Sequence, residues 1–258
     1  MSEPNILFTI EEAIARITLN TPDQRNAFTY AMVSELIAAL RQAEIDDSVR
    51  VVLLAAAGKH FSAGGNLHEF AVEIDEPAFQ HWQSGALWEE LFGLIPQMTK
   101  PVVAATQGYA LAGGCGLVAL CDLAVAADDA QFGMTEIKIG LFPLLVLPAL
   151  RRAVGDKKAL ELALTGAIID APEALRIGLV NRVVPGAELE ETALALARDL
   201  TEKSREALHL GKRLFWDTAG MTYAQALSFA RSLRVNYMLS KDLREGIAAF
   251  MEKRKPNW

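Results

Sequence analysis

The chain has 258 residues, a net charge of −7 and a composition that is 52% hydrophobic. That length buries a sizeable core in one large domain, or in one domain with an appendage. The acidic balance excludes the basic stripe of a nucleic-acid binder, and two cysteines with four scattered histidines offer no metal-ligand spacing.

The opening "MSEPNILFTIEE" has no basic stretch followed by an apolar core, so it does not read as a signal peptide. Together with Cys115 and Cys121, both set in apolar sequence and expected as reduced thiols, this gives a cytoplasmic protein as the expectation. "ILFTI" and "AIARITLN" predict two strands joined by a polar turn at Glu11–Glu12. Met32, Leu36, Ile37 and Leu40 then recur at helical spacing, with Thr29 placed as the N-cap. "VRVVLLAA" predicts a buried strand, "GKHFSAGGN" a glycine loop, and "FQHWQSGALWEELFGLI" an amphipathic helix. Residues 101–121 carry no charge, but Gln107, Gly108 and the glycines after Ala112 break the run. It therefore predicts strand, loop and helix inside a globular core rather than a membrane span.

"DLAVAA" predicts one more strand, and the recurrence of strand, glycine loop and helix argues for an α/β core. After about Pro143 the pattern becomes almost wholly helical, with "VNRVVP" as the one extended stretch. The expected organisation is an α/β core over residues 1–200 and a C-terminal helical region over 201–258, placed over the core or between subunits.

Two segments concentrate small uncharged residues. "FSAGGNL" spans Phe61 to Leu67, and "ALAGGCGLVALCD" spans Ala110 to Asp122. A glycine pair that opens a helix lets the backbone approach a ligand and points unpaired N–H groups at it, at the positive end of the helix dipole. Two such loops can each offer one N–H to a single oxygen, an arrangement that stabilises charge developing on a carbonyl. The same glycines also suit tight strand-to-helix turns that serve packing alone. Neither loop has the phosphate-loop, dinucleotide-fingerprint or nucleophile-elbow spacing.

In order along the chain, "LNTPDQRNAF", "FSAGGNLHEF", "KPVVAATQGYALAGGCGLVALCDLAVAADDAQFG", "TEIKIGLFP", "ALELALTG", "EALRIGLVNRVVP" and "GIAAFMEKRKPNW" resemble segments of the crotonase superfamily, the enoyl-CoA hydratase/isomerase family. The resemblance covers nearly the whole chain. It implies a crotonase-like α/β spiral of ββα units with a C-terminal helical layer that helps cover the site and build a homotrimer, often doubled to a hexamer. It also implies an acyl-coenzyme A thioester substrate, with no separate cofactor and no metal.

Carried over residue by residue, the resemblance makes Ala63 and Gly113 the backbone donors of an oxyanion hole and Glu136 the candidate acid–base. The rest of the first loop, Gly64, Gly65, Asn66 and Leu67, becomes substrate-binding. Arg25 and Ala27 match the segment at the nucleotide end, and Phe250 and Lys253 match C-terminal positions that reach the coenzyme, often from a neighbouring subunit. The family commonly has a second glutamate where this chain has Gly116, and hydratases use both carboxylates to hold and split a water. One base that takes and returns a proton suffices to move a double bond, so Gly116 favours isomerisation. Thioester hydrolysis, decarboxylation and acyl-CoA binding with weakened chemistry stay open. After "GLFP" the glycines typical of a hydratase are replaced by an aliphatic run from Leu144, which lines an acyl pocket or belongs to the core. By its local sequence alone, Glu136 in "EIK" is equally a surface residue in a charge pair, and "EKRK" equally a solvated basic tail.

Overall fold

The structure is a computed structural model that describes residues 4–258. Strands β1 (Ile6–Glu11) and β2 (Ile14–Leu19) form an antiparallel hairpin, its turn made by Glu12 and Ala13 at positive φ. Helix α1 (Tyr30–Ile45) follows, and the Thr29 side chain accepts the Met32 N–H as its cap. Next come β3 (Val51–Ala56), α2 (Leu67–Glu73), α3 (Ala78–Gln97), β4 (Val102–Thr106), β5 (Tyr109–Leu111), α4 (Gly113–Leu120), β6 (Leu123–Ala127) and β7 (Gln131–Gly133). The second half holds α5 (Leu147–Val154), α6 (Asp156–Thr165), β8 (Ile168–Asp170), α7 (Ala171–Arg176), β9 (Arg182–Val184) and α8 (Leu189–Thr201). Helices α9 (Arg205–Asp217), α10 (Tyr223–Leu239) and α11 (Lys241–Glu252) close the chain.

Six strands in the order β1-β2-β3-β4-β6-β9 make the main sheet, parallel from β2 onward. A second sheet, β5-β7-β8, is built from three-residue strands too short to show alternation in sequence. The centre of the main sheet is covered on both faces, which is why β3, β4 and β6 read as nearly unbroken apolar runs. Successive residues of β3 show the split: Val52 and Leu54 join Leu36 and Leu40 on one side, while Val51, Leu53 and Ala55 meet Ala193 and Leu196 of α8 on the other. The charge-free run is β4, β5 and α4, and among the described residues no helix is long and apolar enough to cross a membrane.

One ion pair ties the C-terminal helices to this core. Lys212 on α9 donates to Asp122 Oδ2 at 2.7 Å and to the Lys100 carbonyl at 3.0 Å. The same Asp122 oxygen accepts the Val102 N–H at 2.8 Å, so it also fixes the start of β4. Removing the lysine leaves an uncompensated carboxylate, because the two side chains are only 6% and 18% exposed. Lys212→Ala is expected to destabilise the protein by about 3–5 kcal/mol in urea unfolding, and Lys212→Met with Asp122→Asn by much less.

Candidate active site

The loops that follow β2, β3 and β5 meet beyond the strand ends, and buried Asn26 joins the first two. Its side-chain amide donates to the carbonyls of Ala57 and His60 at 2.9 and 2.8 Å, and its Oδ1 accepts the Thr21 N–H at 2.8 Å. Ser62 Oγ donates to the Asn26 carbonyl at 2.7 Å and accepts the Gly64 N–H at 3.1 Å. Two isolated parallel bridges complete the seam, Phe28 to Gly65 and Ser62 to Ala110. Glycine is needed where the loops touch. A Cβ on Gly64 would lie 2.6 Å from the Ala112 Cβ, and one on Gly114 would lie 2.9 Å from Ser62.

This seam decides which amides are available. The Ala63 N–H donates to the Arg25 carbonyl at 3.0 Å, so it cannot also serve a ligand. The expectation that Ala63 is an oxyanion donor is therefore corrected. In the bridge to Gly65, Phe28 makes both hydrogen bonds, donating to the Gly64 carbonyl at 2.7 Å and accepting the Asn66 N–H at 2.9 Å. Gly65 is left with no acceptor for its own N–H among the described residues, and it lines the cavity described below. Gly113, the first residue of α4, likewise has no acceptor for its N–H and lines the same cavity. Ala112 stands before it at φ 50°, ψ −123°, held by its own N–H on the Gly133 carbonyl at 2.8 Å. Such a backbone costs an alanine roughly 1–3 kcal/mol, and it turns the chain sharply from β5 into the helix.

Gly65 and Gly113 open onto a cavity of about 540 Å³ that also contains Glu136. Glu136 lies in a short 3₁₀ segment, Thr135–Ile139, directly after β7. It is 9% exposed, and its Oε2 is buried without a hydrogen-bond partner. Burial pushes its carboxyl above the ordinary carboxylate range, opposed in part by a hydrogen bond from its own backbone N–H. Trp88 and Phe92 wall the cavity from α3, and the Trp88 ring meets Phe28 edge-on at 5.9 Å. Leu144, Leu145 and Val146 of the aliphatic run close it beside Leu141, so that run lines the cavity.

Several predicted residues lie elsewhere. Asn66 caps α2, accepting the N–H groups of His68 and Glu69, and Leu67 is the exposed first residue of that helix. Arg25 and Ala27 belong to the Asn26 loop, where Arg25 supplies the carbonyl that takes the Ala63 N–H. Phe250 lines a separate cavity beside Trp258, and Lys253 ends α11. The main cavity is lined only by residues between Tyr30 and Val146, so α9–α11 do not cover it within one chain.

Sequence reasoning also missed residues the site depends on. Asn26 stands in the quoted "QRNAF", yet its role arises from contacts with a loop more than thirty residues away. At Gly116 an added Cβ would lie 1.6 Å from Val146 Cγ1. The place of a side chain at Gly116 is therefore filled by Val146. Tyr30 donates to Glu73 across the cavity wall, and burial with that neighbouring carboxylate pushes its hydroxyl up to about 12.

An α/β fold in which two glycine loops leave backbone amides unpaired in the cavity that holds a buried carboxylate is the arrangement of a crotonase-like protein. A model of the enoyl-CoA hydratase/isomerase family matches residues 9–258. The mitochondrial enoyl-CoA hydratase domain-containing protein 3 of Rattus norvegicus is 38% identical, with 100% of this chain and 85% of that protein aligned. The crystal structure of an enoyl-CoA hydratase from Mycobacterium smegmatis superposes with a TM-score of 0.93 at 38% identity, over 99% of each chain. That of human enoyl coenzyme A hydratase domain-containing protein 3 gives a TM-score of 0.93 at 34% identity, over 98% of this chain and 100% of the other. The chain belongs to the enoyl-CoA hydratase/isomerase family.

Two outcomes follow from the geometry. Gly116→Ala forces a methyl into Val146 and is expected to cost about 1–3 kcal/mol of stability. Adding Val146→Ala should recover part of the loss, read as a favourable coupling in a double-mutant unfolding cycle. For Glu136, the folded state holds its proton to higher pH than the unfolded state does. Its contribution to stability is complete below the ordinary carboxylate range and is lost as pH rises through the raised folded value. Glu136→Gln is therefore expected to be more stable than wild type at neutral pH, with the difference shrinking at acid pH in denaturant titrations.

Proposed function

We propose that the protein moves a carbon–carbon double bond in an unsaturated acyl-CoA thioester, converting a 3-enoyl to a 2-enoyl thioester. The observation that carries this reading is one buried, unpartnered carboxylate, Glu136, sharing a cavity with two unpartnered amides, Gly65 and Gly113. The two N–H groups take the thioester oxygen. Each is worth about 3 kcal/mol or more once that oxygen becomes negative. The Glu136 carboxylate removes the proton at the α carbon, and the electron pair spreads over the dienolate with its charge on the held oxygen. Protonated Glu136 then returns the proton at the γ carbon. The double bond ends next to the carbonyl, and the carboxylate is regenerated. A raised carboxyl pKa suits both halves, since it makes the group a stronger base and keeps the acid form accessible.

Relatives are named hydratases, and two features support proton transfer over hydration. Gly116 supplies no second carboxylate, and Val146 fills the space beside it, so apolar surface stands where a second acid would meet a water. We extend the reading to assembly. Exposed Phe215, Leu227, Val235, Leu239, Phe250 and Met251 give the C-terminal helices a wide apolar surface that fits a homotrimer. Packing of that kind would bring Phe250 and Lys253 of one copy toward another copy's coenzyme.

With a 3-enoyl-CoA as substrate, Glu136→Gln is expected to lower turnover by at least about 100-fold while thioester binding persists. In wild type the rate should fall as pH drops through the raised Glu136 value, because the base must be ionised. Equal turnover in the variant removes Glu136 from the reaction. Faster conversion of crotonyl-CoA to its hydrate than of the 3-enoyl substrate favours hydration instead.

A further inference from the structure

The cavity has a second polar patch that the proton transfer leaves unused. Tyr30, Glu73, His81 and Ser84 line the same space as Glu136. The Tyr30 hydroxyl donates to Glu73 Oε2, and Ser84 Oγ donates to the His81 carbonyl at 3.2 Å. Glu73 Oε1 has no hydrogen-bond partner among the described residues. The walls beside this patch are apolar, formed by Phe70, Ile74, Trp88 and Leu144.

Fastening α2 to α1 does not require the Tyr30–Glu73 bond. The Tyr30 backbone N–H already reaches Glu69 Oε2 at 2.8 Å, and Asn66 caps the start of α2. The pair is also poorly matched to a plain alkyl chain. Methylene groups laid against Glu73 would strip its remaining water and return nothing, at a cost of several times a methylene's transfer gain. A carboxylate on the ligand would put like charges together. A hydroxyl or an amide N–H replaces the solvent donor that half-exposed Glu73 Oε1 gives up when an acyl group enters.

Resting on the acyl-CoA reading, we infer that the acyl group carries a hydrogen-bond donor beyond its reacting carbons, received by Glu73 while Tyr30 holds that carboxylate in place. Glu136 and the two amides act on the thioester end, and the Tyr30–Glu73 pair selects the tail.

Calorimetric titration with saturated, unreactive CoA thioesters tests this. The panel contains unsubstituted, terminal-hydroxy and terminal-carboxy acyl groups, matched across a series of chain lengths. At the length that reaches the patch, wild type is expected to bind the hydroxy thioester about tenfold more tightly than the unsubstituted one, and the carboxy thioester least. Glu73→Leu should reverse the hydroxy-over-alkyl preference, and Glu73→Gln should reduce it. The readout is a ratio within each variant, so general loosening of α2 cancels. Equal affinity for hydroxy and alkyl thioesters in wild type at every length overturns the inference, as does an unchanged ratio in Glu73→Leu. Binding without discrimination leaves the CoA-thioester reading standing. Failure of every thioester to bind overturns that reading and this inference with it.

Discussion

The site rests on the buried amide of Asn26. By spanning the carbonyls of Ala57 and His60 while accepting the Thr21 N–H, it locks the loop after β2 to the loop after β3. The neighbouring hydrogen bonds extend that contact. Ser62 turns to the Asn26 carbonyl, Ala63 spends its N–H on Arg25, and Phe28 satisfies itself on Gly64 and Asn66. What remains is the Gly65 N–H, the donor in that loop that faces the cavity unpaired. Gly113 is buried and Gly65 half-buried, and both line one cavity with no protein acceptor for their N–H groups, which leaves them free for something that arrives from outside. Backbone donors held this way cost no reorganisation when charge appears, and amides fixed by a rigid scaffold gain their catalytic value from that property.

In the same cavity as these donors, Glu136 sits under a contrary constraint. An ionised carboxylate with one oxygen buried and unpartnered is expensive, and the fold accepts that cost in the cavity that Gly65 and Gly113 also line. In the proposed reaction the donors lower the energy of a negative carbonyl oxygen, and burial raises the basicity of the carboxylate that would generate it. Both effects arise from excluding water, and both depend on the aromatic and aliphatic walls of α3 and the 141–146 segment. Val146 belongs to that wall and also fills the space beside Gly116, so one residue both dries the cavity and closes a second acid position.

The C-terminal helices have a different physical standing. Their attachment runs through the Lys212–Asp122 pair, and Arg152 lies 4.2 Å from the ring centres of both Phe215 and Trp216. Most of their large apolar side chains stay exposed in the single chain. The layer supplies none of the residues that line the main cavity, and its exposed apolar side chains are what the proposed assembly would cover.

Much of this architecture is legible in the sequence. Unbroken apolar runs mark strands buried on both faces, helical spacing marks α1 and α3, and Thr29 caps α1 where its side chain predicts. The two glycine loops stand out because close backbone approach excludes larger residues. Local pattern did not identify which amide of "SAGGN" is left over: Ala63 and Gly65 differ only in whether Arg25 or nothing lies opposite, and that depends on a bridge to Phe28. The partnership of Gly116 with Val146 and that of Tyr30 with Glu73 join residues 30 and 43 positions apart, beyond the reach of any periodicity. The three-residue strands of the small sheet are equally invisible, being shorter than the alternation that would reveal them. The sequence by itself determined the α/β frame, its two glycine loops and its family, because these follow from periodicity and from where side chains must be absent. Only the tertiary structure decided which donors stay unpaired, which carboxylate is dry and which space is already filled, because hydrogen-bond satisfaction and burial are properties of neighbours brought together from distant parts of the chain.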